Sequence, residues 1–450
     1  MIQQILGALS GLWSRPTTVH LTATGPRPAS LAANAGWSLA GSLGYAVTRW
    51  LTVIAIARLG NSTLLGEFVL ATAIVAPVYL LAHFELPTLL VTDARSKVSG
   101  WTYLAVRLGV SVIALPVAIS LAWFKGGTIA AAVGLLAAGR IVDHLTELAA
   151  ARLQRFQRFA PGAVALMING IGTLAATAVV LRAAPTVVQV ALASAMGSAV
   201  ALLALWYGGG ADLRPARNTE ASWNRLRTEA GGLLKLGLPI GLIMGLASVN
   251  ASAPALALDH WLGKAQVGAF EAIGYPVLAM TLVIGAVGQA AAPGLAALLA
   301  AGECRLLKRH IVSLICFGAS LGIVGAIASA IAGNWILSRL YGPEYGVYSR
   351  TLTILFVGCA LRNAYTYVGV LFFALRRLTV QLHIRYMSLA ALVIALVALV
   401  PRHGIEGVAW AMLIAAVVEA VIWTALLLPI WVGLSEQRAT PSVGWAVAAE

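Results

Sequence analysis

Apolar runs of about twenty residues, the length a helix needs to cross a bilayer, recur along nearly the whole chain. The first of them is the most informative. Asn34, Ser38, Ser42, Tyr45, Arg49 and Thr52 follow one another at steps of three or four, so on a helix they share one face while Leu, Val, Ile and Ala cover the rest. The pattern predicts a span over 34–57 with a polar stripe that carries an arginine at membrane depth, a turn over 58–65 and a second span from Gly66. The same reading gives twelve spans in all, at 34–57, 66–92, 100–124, 127–150, 160–181, 186–207, 234–257, 266–298, 310–332, 350–374, 382–400 and 406–430. Their grouping predicts an N-terminal interfacial helix and linker (1–31), a six-helix half (32–207), a cytoplasmic linker (208–232), a second six-helix half (233–430) and a tail (431–450). The expected fold class is an all-α integral membrane protein whose two halves surround a central cavity.

The two sets of six share a local pattern. Leu59-Gly60 followed by Gly66-Glu67-Phe68 after the first span matches Leu262-Gly263 followed by Gly268-Ala269-Phe270 after the seventh, at an offset of about 202 residues. Six is even, so such halves share one orientation and are related by an axis along the membrane normal. Prolines at 77, 87, 116, 239, 276 and 293 fall inside predicted spans. Each removes a backbone donor and suits a bending helix, although proline is also simply commoner in membrane helices than in soluble ones. The eighth span is too long for an untilted helix and is expected to be tilted or broken. Ahead of the first span, Ile2, Ile5, Leu6, Leu9, Leu12 and Trp13 face away from Gln3, Gln4, Ser10 and Ser14, which fits a short interfacial helix better than a signal peptide.

Composition narrows the class. The chain is 60% apolar and 10% charged over 450 residues, which leaves no room for a soluble domain. Its net charge of +14 would suggest nucleic acid in a soluble protein, but 19 of the 30 Lys and Arg fall in segments on one side and 7 on the other. The asymmetry predicts both termini in the cytoplasm and no nucleic-acid partner. Trp101, Trp123, Trp206, Trp261, Trp335 and Trp431 sit near span ends, as an aromatic belt should. Cys304, Cys316 and Cys359 form no CxxC and have no histidine pairing, so no disulfide framework, metal or cofactor is expected.

Four arginines lie within spans, where a charge is costly unless it faces water, a partner or an anion. Arg49 leads on its aligned polar neighbours; the competing reading is a lipid-facing side chain that snorkels past Trp50. Arg362 lies at the centre of the tenth span, with Asn363, Cys359, Tyr365 and Thr366 around it, and could instead partner a carboxylate. Arg107 is nearer the surface and could snorkel. Arg140 heads the series Arg140, Asp143, His144 and Glu147, which intrahelical pairing would explain without a ligand. Asn250, with Ser248 and Ser252, adds a weaker polar patch. Glu85, Glu271, Glu419 and Asp143 are candidates for ion coupling, each with the alternative of being an arginine partner or a packing residue, and a Glu85–Arg49 pair would neutralise both when substrate is absent. Arginine forks match phosphate oxygens, so the constellation points to an anionic, phosphate-bearing substrate, whereas a cation exporter would favour unpaired carboxylates and aromatics. The sequence has no Walker motif.

On these features the chain resembles Wzx-type oligosaccharide flippases of the multidrug/oligosaccharidyl-lipid/polysaccharide exporter superfamily. The resemblance covers about residues 30–430 and rests on the six-plus-six plan, the two LG…GxF turns, Arg152-Leu153-Gln154-Arg155-Phe156-Gln157-Arg158-Phe159 and Leu340-Tyr341-Gly342-Pro343-Glu344-Tyr345. It implies a non-enzymatic flippase of a bacterial inner membrane that moves a polyprenyl-pyrophosphate-linked oligosaccharide outward by alternating access. It further implies coupling to protons or sodium, contact with membrane lipids and work alongside other polysaccharide-assembly proteins. Arg49 occupies the first-span position at which lipid-pyrophosphate flippases of the superfamily carry basic residues. Two alternatives stay open: a multidrug or organic-cation antiporter of the same superfamily, and a membrane sugar polymerase or ligase, which would need a larger outer loop than 333–349.

Overall fold

The computed structural model describes residues 31–93, 98–183, 185–209, 223–300, 303–374 and 378–436. The expected interfacial helix and most of both the linker and the tail lie outside them. The helices are α1 (Leu31–Leu59), α2 (Ser62–Leu81), α3 (Leu86–Thr92), α4 (Gly100–Trp123), α5 (Gly127–Arg155), α6 (Ala160–Val180) and α7 (Val187–Gly209). They continue with α8 (Trp223–Leu262), α9 (Lys264–Ala300), α10 (Cys304–Leu340), a short 3-10 turn (Pro343–Tyr348), α11 (Ser349–Ala374) and α12 (Leu378–Glu436). Among the described residues ten helical stretches are long and apolar enough to cross a membrane. Large apolar side chains such as Ile113, Val179 and Ile331 are exposed, as lipid-facing positions of a multi-pass membrane protein must be.

Two departures from simple helices lie within these stretches. The second span is interrupted between α2 and α3, where Phe84 and Glu85 both take φ near +48°, a left-handed conformation unusual for residues with side chains. Pro87 then starts α3 at a position where its missing N–H costs nothing. The stretch Thr379–Leu428 is 50 residues long. At about 1.5 Å per residue it would far exceed the hydrocarbon thickness. Gly404 breaks it, with φ 57° and ψ −135°, and a Cβ on Gly407 would overlap the Leu399 carbonyl, so the chain folds back in a tight helical hairpin. α11, which holds Arg350, Arg362 and Asn363, is not among the ten.

The described residues fall in two compact units, one of Met1–Tyr275 with Ser338–Tyr345 and one of Pro276–Leu337 with Gly346–Glu450. Small residues bring helices of the first unit together, as is usual where the hydrophobic effect does not drive helix association. Gly41 meets Ala163, with a built Cβ 2.8 Å from its Cα, and Gly139 meets Ala195; these contacts seat α1 on α6 and α5 on α7. Gly237, Gly241 and Gly245 on α8 accept the interrupted span, the first with a built Cβ 2.5 Å from the Phe84 carbonyl oxygen. The repeated turns also meet each other. A Cβ on Gly66 would overlap the Lys264 carbonyl, and a Cβ on Gly268 would overlap the Ser62 carbonyl. The two contacts interchange under the 202-residue offset, so the matched motifs form a pseudo-symmetric pair, joined on one side by a 2.9 Å ion pair from Lys264 Nζ to Glu67 Oε1.

Candidate functional site in the first unit

The polar stripe of α1 faces inward. Ser38, Ser42 and Tyr45 line a cavity of about 370 Å³ together with residues of α5 and α6, among them Arg140, Asp143, Thr146, Glu147, Gln154 and Asn169. His83 and Pro87, from the interruption of the second span, complete part of its wall. A smaller pocket adjoins it and shares Tyr45, Arg140, Asp143 and Asn169; Arg49 lines this pocket, with Thr72, Ser194 and Ser198. The close approach of α6 and α7, where Gly197 would place a Cβ 2.9 Å from the Asn169 carbonyl oxygen, puts Ser198 Oγ within 3.4 Å of Asn169 Nδ2.

Charges of both signs converge here. Asp143 accepts a 2.8 Å hydrogen bond from Asn169 Nδ2 and pairs with Arg140 at 3.4 Å. Asp143, Glu271 and Tyr275 all lie close enough to act on the Arg49 guanidinium. The snorkelling alternative for Arg49 therefore does not describe the structure. Nor does Glu85 pair with Arg49: its Oε2 accepts from Thr88 Oγ1 at 2.9 Å and lies 4.0 Å from His83 Nδ1. Arg49 and Arg140 balance Asp143 and Glu271, and Arg107 balances Glu147 on the cavity wall, so the formal charges sum to zero. A dianionic group could compete with the carboxylates for both guanidinium forks.

The remaining candidates sit elsewhere. Arg107 is fully buried and does not reach the surface. Its guanidinium donates to the His83 carbonyl (2.8 Å), the Glu147 carboxylate (2.6 Å) and the His144 carbonyl (3.4 Å), bracing the interrupted span against α5. Intrahelical pairing thus explains Arg140 with Asp143, while Glu147 is held from α4 and His144 bonds Ser111 Oγ at 2.9 Å. Asn34 is buried and donates to Gln157 Oε1, and Asn250 lies on α8 outside both pockets. In the second unit Asn363 donates to Cys359 Sγ at 3.0 Å, Thr366 bonds the Arg362 carbonyl, and Glu419 accepts from Arg385 (3.2 Å), Ser388 and Trp423. Glu419 thus follows the arginine-partner alternative. Asn169, Ser198 and Tyr275 belong to the site although the sequence does not single them out. Asn169 stands out only in hindsight, as an amide inside the apolar run of the fifth span. Among the described residues no cluster of His, Cys, Asp and Glu could hold a metal ion.

No protein-family model matches the chain. It is 22% identical over 367 residues to the capsular polysaccharide biosynthesis protein CapF of Staphylococcus aureus, an alignment that covers 81% of this chain and 91% of that protein. Among solved structures it is similar to the MATE multidrug transporter DinF-BH (TM-score 0.67, 16% identity, 92% and 98% of the two chains). It is also similar to the lipid II flippase MurJ in an inward closed conformation (0.64, 12%, 89% and 90%) and to an inward-facing MATE family transporter of the MOP superfamily (0.59, 14%, 90% and 96%). The chain therefore has the fold of the MATE transporters and of MurJ, as its resemblance to the multidrug/oligosaccharidyl-lipid/polysaccharide exporters implies.

Proposed function

We propose that the protein is a flippase of cell-surface polysaccharide biosynthesis that moves a polyprenyl-pyrophosphate-linked oligosaccharide across a bacterial inner membrane. The observation that carries the reading is the convergence of Arg49 and Arg140 on adjoining pockets, one of them a cavity lined by hydroxyls and amides. Pyrophosphate suits guanidinium forks, and Ser38, Ser42, Thr146, Gln154 and Asn169 supply hydrogen-bonding partners for sugar hydroxyls. The likeness to CapF and the shared fold with MurJ agree with this substrate class. On this reading the two six-helix halves alternate access to the cavity, a proton or sodium gradient drives the cycle, and both termini face the cytoplasm. Arg362, Asn363 and Asn250 are candidates to meet substrate at other stages of the cycle.

A second reading has a specific observation in its favour. Asp143, Glu271, Tyr45 and Tyr275 surround Arg49 with carboxylates and aromatic rings, which suit an organic cation. Binding separates the two. Purified protein titrated with polyprenyl-pyrophosphoryl oligosaccharide should be stabilised by about 2.7 kcal/mol at a hundredfold excess over Kd, read as a rise in Tm that is largely lost in Arg49→Ala. Stabilisation by a lipophilic cation and none by the pyrophosphate lipid would replace this reading with drug export.

A further inference from the structure

The interruption of the second span carries a group of ionisable side chains that the substrate reading does not use. His83 occupies the break, lines the cavity and points one ring nitrogen at each of two carboxylates: Nε2 lies 3.1 Å from Glu147 Oε2 on α5, and Nδ1 lies 4.0 Å from Glu85 Oε2 at the start of α3. Glu147 Oε2 is shared, because Arg107 donates to the same oxygen at 2.6 Å while also holding the His83 carbonyl at 2.8 Å. The other groups around the ring are His144 of α5, whose ring meets it edge-on at 5.6 Å and whose Nδ1 is engaged by Ser111, and Tyr79 of α2, 5.5 Å from His144. Arg140 stands one turn before His144 and also acts on it. α8 meets the break with the glycines 237, 241 and 245.

A neutral imidazole carries one N–H, so it can donate to Glu147 or to Glu85 but not to both, and its bare nitrogen then faces a carboxylate. The imidazolium carries two. With His83 neutral, the formal charges of Arg107, Glu147, Glu85 and His83 sum to −1; one added proton brings them to zero. Doubly bonded in this way, the ring would tie the entry of α3 to α5 at Glu147. The backbone at the break is already strained, with Phe84 and Glu85 both left-handed.

We propose that His83, which faces the cavity with Glu147, is the proton-binding residue of a cluster completed by Glu85, and that uptake of one proton clamps the broken second span onto α5. The coupling ion of transport would then be a proton bound at the helix break. Histidine is the side chain whose ordinary titration falls in the physiological range. The inference rests on the flippase reading only for what the movement drives; its readout needs no substrate, so it can fail while that reading stands.

The test is hydrogen exchange of segment 83–92 in the protein held in lipid nanodiscs, corrected for the intrinsic pH dependence of exchange. Between about pH 8 and about pH 5.5 the wild type should show a roughly tenfold slowing of this segment, as a proton-linked closure requires. His83→Gln should abolish the pH dependence, and Glu85→Gln, which leaves the brace of Arg107 on Glu147 intact, should reduce it severalfold. His144→Gln should keep it. A wild-type segment that exchanges alike at both pH values overturns the proposal, as does a pH dependence that survives in His83→Gln or disappears only in His144→Gln. Should His83→Gln not fold, the Glu85→Gln result decides alone: an unreduced pH dependence overturns the clamp.

Discussion

Arg49 and Arg107 carry the same charge in different surroundings, one lining a pocket and the other enclosed by hydrogen-bond acceptors. Arg107 is enclosed by two carbonyls and the Glu147 carboxylate, so its removal would take a charged donor from three acceptors at once. Arg107→Ala should destabilise the protein by about 3 kcal/mol, measured as a loss of Tm in detergent, because a fully buried side chain and its three hydrogen bonds are lost together. Arg140 pairs with Asp143 while about a third of its side chain is exposed, and Arg140→Ala should cost less than about 1 kcal/mol of stability. Equal losses would show that the distinction between brace and pocket is wrong. The sequence makes the pocket side of this contrast legible, because the stripe from Ser38 to Arg49 lies on one helix and helical periodicity displays it. It does not reveal the brace, since Arg107, His83 and Glu147 come from three spans and no local pattern records which partner lies across an interface. The same reason hides Asn169 and Tyr275, and it lets Glu85 look like a partner for Arg49 when Asp143 and Glu271 are the carboxylates there.

Glycines decide much of the geometry among the elements. The matched turns after α1 and α8 are readable in the sequence as a repeat, yet their mutual contact is not. Gly66 and Gly268 lie where each backbone meets the other's carbonyl, leaving no room for a Cβ. Gly66→Ala and Gly268→Ala should each destabilise by about 1–3 kcal/mol through overpacking. The double variant should cost clearly less than the sum, because one displacement of the turns relieves both clashes. Additive losses in Tm would mean that the turns do not share a contact. Helix count is also legible: all twelve predicted spans have a helical counterpart once the break before α3 and the hairpin at Gly404 are recognised. The break itself is signalled only by Pro87, one proline among several with the same claim. Pro77, in the same span, sits inside an uninterrupted helix. What distinguishes them is the row of α8 glycines that accepts the exposed turn, a tertiary fact.

For the whole molecule, charge asymmetry among the loops predicts which side each connection faces. Single cysteines introduced near Lys97, Lys308 or Arg438 should react with a membrane-impermeant thiol reagent only from the cytoplasmic side, and those near Lys125, Lys264 or Arg402 only from the opposite side, in a background freed of native cysteines. Any loop labelled from the wrong side would require a different assignment of spans. The fold follows from such patterning and is shared by MATE multidrug transporters and the lipid II flippase MurJ alike, so function has to be read from the site. The most direct test is movement of polyprenyl-pyrophosphoryl oligosaccharide between the leaflets of proteoliposomes, scored by access of a membrane-impermeant probe to the sugar. Wild-type protein should move it, and Arg49→Ala and Arg140→Ala should each slow movement at least about tenfold, equivalent to about 1.4 kcal/mol of lost interaction. Unchanged rates in both variants, or movement of a lipophilic cation and not of the pyrophosphate lipid, would contradict an anion-binding flippase.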